Sequence, residues 1–346
     1  MLERSYQTRQ GTIRYWVSAP GPRGTALVFL PGLTADHRLF QMQFSFFASR
    51  RPLLVWDAPG HGASRPFALD FSLMEQAEWL HGILVRERMG GPVLIGQSMG
   101  GYLAQCFMER FPGQARGFIS IDSAPLQRRY VTAAELWALR RCELLYRCYP
   151  WSILRKAGAR GCAETAQGQT LMKEMMDCYS KREFSALAGH GFRALAEAMA
   201  ADLPYKVDCP ALLLCGERDR AGLTRRYNRR WSEETGIPLV WLQSAGHNSN
   251  TAVRDEFKHC NAYARKECKD CWAKLYCSGG CAANSYHATG SITGVYEYGC
   301  ELFKKRMECA IMIKVAENQE LAAQGIEVPI ELGSTCNACA DGEACE

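Results

Sequence analysis

The sequence contains no run of apolar residues long enough to cross a bilayer. Stretches such as ALVFL (26–30) and ALLLC (211–215) fall far short of the ~20 residues a membrane helix needs. The opening MLERSYQTRQ is charged and has none of the apolar core of a secretion signal. A soluble, cytoplasmic chain with no membrane span is therefore the expectation. There is no internal repeat, no low-complexity tract and no basic stripe interleaved with aromatics, so no nucleic-acid partner is expected. Charge is nearly balanced, with a net +5 over 346 residues, although residues 316–346 hold seven acids and no Lys or Arg.

The composition that remains is globular. Hydrophobic residues make up 47% and charged residues 22%, enough apolar material for a sizeable core. The length suggests two domains. Cysteine is abundant and unevenly placed. Seven of the seventeen lie before residue 220 and read as small buried hydrophobes, while ten follow Phe257. In a reducing compartment such clustering points to metal or redox chemistry more than to disulfides. This shift in composition marks a boundary near residue 250.

Through the first 250 residues, short apolar runs alternate with helical stretches. TALVFLPG, RPLLVWDAPG, GPVLIGQSMG, GFISIDSAP, CPALLLCGERD and IPLVWLQSAGH each read as a buried strand ending in a loop. Runs apolar on both faces suit a parallel sheet covered by helices. GTIRYWVSA alternates and reads as an antiparallel edge strand. Residues 126–206 break this rhythm with helical spacing and form an expected helical lid over the loop end of the sheet. The fold class is thus α/β: a mostly parallel sheet with helices on both faces and a lid insertion, followed by a small cysteine-rich domain.

GQSMG (96–100) follows the apolar PVLI and precedes the helix-like GYLAQCFMERF. Glycines on both sides allow a tight strand-to-helix turn that exposes the hydroxyl of Ser98. A serine nucleophile needs a base, and the base needs an orienting carboxylate. Asp219 in GERD and His247 in SAGHN each follow a strand, in the order Ser, Asp, His. Asp122, at the end of GFISID, is the alternative acid. His61 reads as structural and His37 as a solvated neighbour of the loop after LVFL.

With these residues in hand, positions 1 to about 250 resemble an α/β-hydrolase, and DAPGHGAS (57–64) is similar to a loop of that family. The resemblance implies a Ser98–His247–Asp219 triad and a small-molecule acyl substrate. It also implies an oxyanion hole made by the N–H groups of Met99 and of the loop Pro31-Gly32-Leu33, where Leu33 is the expected donor. No cofactor is expected for this part.

The second constellation is CKDCWAKLYCSGGC (268–281), with the spacing C-x2-C-x5-C-x3-C, and Cys300 follows after eighteen residues. Thiolates this close repel one another unless a cation or cluster neutralises them. Short C-x-x-C loops bring two sulfurs to one centre. The stretch from about 254 to 314, above all CWAKLYCSGGCAAN and YGCELFKK, resembles the SPASM domain of radical S-adenosylmethionine maturases that modify cysteine-rich peptides. That resemblance implies a 4Fe–4S cluster on Cys268, Cys271, Cys277 and Cys300. Cys281 matches one ligand of a second cluster, whose other ligands would lie upstream where this chain reads as hydrolase. The radical motif C-x3-C-x2-C is absent, so radical chemistry is not expected. A zinc tetrathiolate is the physical alternative to the cluster. The expected division is 1–250 hydrolase, 251–314 partial cysteine-rich domain and 315–346 acidic tail, in which Cys336, Cys339 and Cys345 lack a clear fourth partner. Val253, Phe257, Cys260 and Ala264 fall at helical spacing and are expected to form the helix that closes the hydrolase.

The reading is a serine hydrolase acting on an ester, thioester or amide-like carbonyl. Its rivals are an iron–sulfur electron-transfer or peptide-recognition module, with a cysteine-rich peptide as partner, and a catalytically silent binding protein.

Overall fold

The computed structural model describes residues 1–19, 21, 23–251, 260–277, 279–280 and 282–326. The chain divides into two compact units, Met1–Arg254 and Asp255–Glu346.

The first unit is built on eight strands: β1 (Leu2–Gln7), β2 (Thr12–Val17), β3 (Leu27–Leu30), β4 (Leu53–Trp56), β5 (Val93–Gln97), β6 (Gly117–Ile121), β7 (Ala211–Gly216) and β8 (Leu239–Leu242). Their spatial order is β1-β2-β4-β3-β5-β6-β7-β8. From β4 to β8 all pairings are parallel, and β2 joins β4 antiparallel. The expectation that β2 forms the edge is corrected. LERSYQ pairs outside it as β1, from Leu2↔Val17 to Gln7↔Thr12. The charged, exposed side chains of β1 suit a sheet edge, which carries charge to discourage further pairing.

The central strands are apolar because helices cover both of their faces. All four residues of β4 are buried, Trp56 among them, and each such side chain contributes ~1.5–3 kcal/mol of transfer free energy. On one face pack α2 (Leu73–Arg86) and α3 (Met99–Arg110), with α9 (Thr224–Thr235) beside them; Leu80, Ile83, Leu103 and Phe107 join Val28, Leu54 and Leu94 in one cluster. On the other face α1 (Gln41–Phe47) sets Phe44 against Phe29, Leu53 and Val55. The start of α2 is fixed by a capping box: Ser72 Oγ accepts from the Glu75 N–H, and the Glu75 carboxylate accepts from the Ser72 N–H.

Five helices fill the insertion: α4 (Ala133–Leu139), α5 (Cys142–Cys148), α6 (Trp151–Cys162), α7 (Ala166–Asp177) and α8 (Lys181–Ala200). The longest, α8, begins with the same capping device, Ser180 with Glu183. It buries Phe184, Leu187, Ala188, Ala194 and Leu195, a spacing of three, four and seven that makes one apolar face.

In the second unit the described helices are Lys274–Cys277, Ala282–Thr289 and the 27-residue Glu297–Ala323. Arg265 is buried there, donating to the carbonyls of Gly279 and Ile292 and to Cys260 Sγ. Of the four residues expected to form the closing helix, Val253 and Phe257 lie outside the described residues. Neither Cys260 nor Ala264 is helical: Cys260 has no regular structure and Ala264 stands in a turn, where Asn261 Oδ1 accepts from the N–H groups of Tyr263 and Ala264.

Candidate active site

Every candidate of the first unit sits just beyond the carboxyl end of a parallel strand, where loops of such sheets converge. Ser98 follows β5 directly and opens α3 with φ +50° and ψ −116°, a conformation rarely tolerated by a residue with a side chain. The turn closes because its neighbours lack one. A Cβ on Gly100 would overlap the Leu30 carbonyl, and one on Gly96 would overlap the Gly100 backbone.

His247 joins the two other residues of the expected set. Its Nε2 lies 2.8 Å from Ser98 Oγ and its Nδ1 3.0 Å from Asp219 Oδ2. Asp219 is fully buried and also accepts from the Ala221 N–H at 2.7 Å. Burial alone lowers the pKa of His247, but the hydrogen bond and charge of Asp219, aided by Asp122, outweigh it and raise the imidazole above its usual 6.5. With Nδ1–H facing a carboxylate, Nε2 is left to accept a proton.

Asp122 does not touch the imidazole. Its two oxygens accept from the Gly216 N–H and the Ser249 N–H, both at 2.8 Å. Burial raises its pKa to about 7. Gln97 works from the other side, donating from Nε2 to the His247 carbonyl at 2.9 Å and to Asn248 Oδ1 at 3.1 Å. The Asn248 N–H donates to the Cys162 carbonyl at the end of lid helix α6, at 2.6 Å. The loop carrying His247 is thus gripped from β5, from β6 and from the lid. Sequence reasoning passed over Gln97 and weighed Asp122 only as an acid. The one available signal was that each borders a strand end next to a candidate residue.

Leu33 and Met99 face one small cavity with Gly32, Gly100 and Leu103. A Cβ on Gly32 would overlap the Gln97 side chain and sit 3.1 Å from Ser98 Cβ, so the loop after β3 lies against the serine. Met99 is the first residue of α3 and its N–H has no carbonyl behind it in the helix. His37 is not merely solvated. It stacks on Trp16 at 3.7 Å, and its Nδ1 bonds Asp57 at 2.8 Å. His61 is buried in the wall of the cavity.

Residues 27–257 match the Alpha/beta hydrolase family. The chain belongs to that family. It is 31% identical over 147 residues to the bovine (Bos taurus) (Lyso)-N-acylphosphatidylethanolamine lipase, covering 40% of this chain and 43% of the lipase. It is 36% identical over 98 residues to the Magnesium-chelatase 30 kDa subunit of Rhodobacter capsulatus, covering 28% of this chain and 34% of that subunit. The matches thus span less than half the length of these relatives. Among solved structures, the enol-lactonase from Burkholderia xenovorans LB400 superposes with a TM-score of 0.58 at 19% identity, over 73% of this chain and 96% of the lactonase. A thermophilic esterase from Thermogutta terrifontis gives 0.57 at 17% identity, over 75% and 98%. At these identities the two structures show a shared fold.

This alpha/beta hydrolase also carries the cysteines singled out above. Cys268, Cys271, Cys277 and Cys300 line one small cavity, with Phe303, Lys274 and Lys304 in its wall. Burial raises the thiol pKa of Cys268 and of Cys300, and the neighbouring sulfurs raise them further. Among the described residues no three of these sulfurs lie within 4.8 Å of one another. Cys281, Cys336, Cys339 and Cys345 lie outside the described residues.

Proposed function

We propose that the first unit is a serine hydrolase that cleaves an ester, thioester or amide-like bond of a small acyl substrate. The observation that carries this reading is the bridge of His247 between Ser98 Oγ at 2.8 Å and Asp219 at 3.0 Å. His247 Nε2 takes the hydroxyl proton as Ser98 Oγ bonds to the carbonyl carbon. The carbonyl oxygen becomes an oxyanion held by the Leu33 and Met99 N–H groups, each worth about 3–4 kcal/mol to the transition state. His247 then gives its proton to the leaving group. Water enters, loses a proton to His247 and releases the acid from Ser98. Asp219 orients the ring throughout and stabilises its charged form. The relatives and structural neighbours support the class of bond: they include a lipase, an enol-lactonase and an esterase. A serine-directed phosphonate tests the reading. It should add one adduct to Ser98, absent in Ser98→Ala, and wild-type protein that neither labels nor cleaves short p-nitrophenyl esters overturns it.

The second unit supports a separate reading, a 4Fe–4S cluster on Cys268, Cys271, Cys277 and Cys300. Lys274 and Lys304 beside the cavity suit the negative charge of such a centre. Such a cluster supplies one-electron transfer. This unit is then the partial SPASM-like domain, and a cysteine-rich peptide remains the partner that resemblance implies. The described cysteines are all free thiols, which favours a reducing, cytoplasmic setting, and no described helix is long and apolar enough to cross a membrane. A visible spectrum and metal analysis of anaerobically prepared protein test the cluster: broad brown absorption with iron supports it, and colourless protein with zinc overturns it.

A further inference from the structure

The cavity beside Ser98 is walled mainly by apolar groups, including Leu33, Phe71, Leu103 and Leu187. Two imidazoles and the Gln76 amide interrupt that wall, and the catalytic steps above use none of them. His61 comes from the loop after β4 and His190 from lid helix α8. They are only 6% and 8% exposed. Each has a buried Nε2 with no hydrogen-bond partner. Buried polar atoms are paired in the great majority of cases, so two bare nitrogens in one cavity wall call for a ligand.

The chemistry of His61 can be read further. Its Nδ1 lies 3.0 Å from the Pro59 carbonyl, and a carbonyl only accepts. The ring proton is therefore on Nδ1. Burial holds the ring below its usual pKa despite nearby acids, so it is neutral, and Nε2 presents a lone pair. That atom needs a donor. His190 is also kept neutral, at about 4, by burial first and then by Arg193 and His61. Phe71 packs edge-on against it at 4.4 Å. Ligand cavities are commonly of this kind, apolar with a few polar atoms that fix orientation.

We propose that His61 and His190 are the polar anchor of the substrate cavity, and that the substrate bears a hydroxyl, or another group that donates a hydrogen bond, on the part that enters it. The hydroxyl donates to His61 Nε2, and the His190 ring supplies a second contact from the lid. A plain alkyl chain would leave the nitrogens unpaired. A site built to bond a hydroxyl rejects the analogue without one far more strongly than an apolar pocket separates two hydrocarbons. This inference deepens the serine-hydrolase reading and rests on it for the identity of the cavity. The hydroxyl can belong to the acyl part or to the alcohol part of the substrate.

The test separates the two claims by measuring binding apart from turnover. Full-length Ser98→Ala protein is titrated calorimetrically with matched pairs of short esters. One series carries a hydroxyl at successive carbons of the acyl chain, the other at successive carbons of the alcohol. One hydroxylated member should bind ten- to a hundred-fold more tightly than its plain partner, and the series in which it falls names the part that enters. In Ser98→Ala carrying either His61→Phe or His190→Phe, that ratio should collapse towards one. Because the ratio is taken within a single variant, partial loss of folded protein cancels. Equal binding of every pair overturns the anchor, as does a preference that survives both histidine substitutions. Failure of the serine reading would show elsewhere, as wild-type protein that takes no phosphonate, and leaves the binding ratio free to decide.

Discussion

Asp122 at the end of β6 accepts a 2.8 Å hydrogen bond from the backbone of Ser249, two residues beyond His247. Its other oxygen holds the Gly216 N–H at the end of β7. The carboxylate is therefore a clasp between two strand ends and the histidine loop. Asp219, not Asp122, meets the imidazole.

The two aspartates should respond differently to the same change. Asp219→Asn removes the charge that faces Nδ1 and permits the wrong tautomer, so kcat should fall by roughly 10³- to 10⁴-fold with stability little altered. Asp122→Asn turns an amide N–H₂ towards a backbone N–H. It should destabilise the fold by about 1–3 kcal/mol and lower kcat far less. Urea unfolding beside ester kinetics checks both, and the reverse ranking of rates would make Asp122 the acid.

Ser98 should reveal strain. Its φ of +50° costs on the order of 1–3 kcal/mol for a residue with a Cβ, and glycine is exempt. Ser98→Ala and Ser98→Gly should both be inactive. The glycine variant should unfold at higher urea, by about 1 kcal/mol relative to the alanine variant. Equal midpoints would mean that the turn carries no strain.

The pH profile follows from His247. Catalysis needs the neutral ring, so kcat/KM should rise with pH through a midpoint above 6.5, because Asp219, with help from Asp122, outweighs burial. Asp219→Asn should move that midpoint down, since burial remains while the raising partner is lost. The sign for stability is opposite to that for activity. A raised folded pKa means that the fold favours the protonated ring, so this contribution is fully present below 6.5 and is lost as pH rises through the folded value. Rate profiles and denaturation at several pH values, compared between wild type and Asp219→Asn, measure both.

For the second unit, Cys300→Ala should lose the iron of anaerobically reconstituted protein, because Cys300 shares a cavity with Cys268, Cys271 and Cys277. Cys281→Ala should keep most of it. Iron analysis and absorbance decide, and loss of metal in Cys281→Ala with retention in Cys300→Ala would reassign the ligands.

The parallel sheet was legible because strands buried on both faces are apolar through their length, as in Leu53–Trp56 and in the Val93–Ile95 part of β5. For the same reason Ser98, Asp219 and His247 could be placed at strand ends. β1 escaped notice because LERSYQ is a charged edge strand with no apolar signature. The contacts of Gln97 and Asp122 escaped for a different reason. Their partners lie 150 and 127 positions away, and nothing local in GQS or SIDSA encodes which distant N–H or carbonyl will arrive. The neighbours of His61 belong to the same class, since the lid that brings His190 into the same wall is placed by packing of α8, not by its own pattern.

The crowding at the elbow bears unequally on its residues. Gly96, Gly100 and Gly32 each meet backbone or side-chain atoms where a Cβ would be, so any exchange there injures the turn itself. Ser98 is different: its Cβ lines the crowd beside Gly32, but its hydroxyl reaches out of it to His247. A thiol in place of that hydroxyl would leave the glycine contacts as they are, so the turn constrains its glycines more tightly than the group it presents.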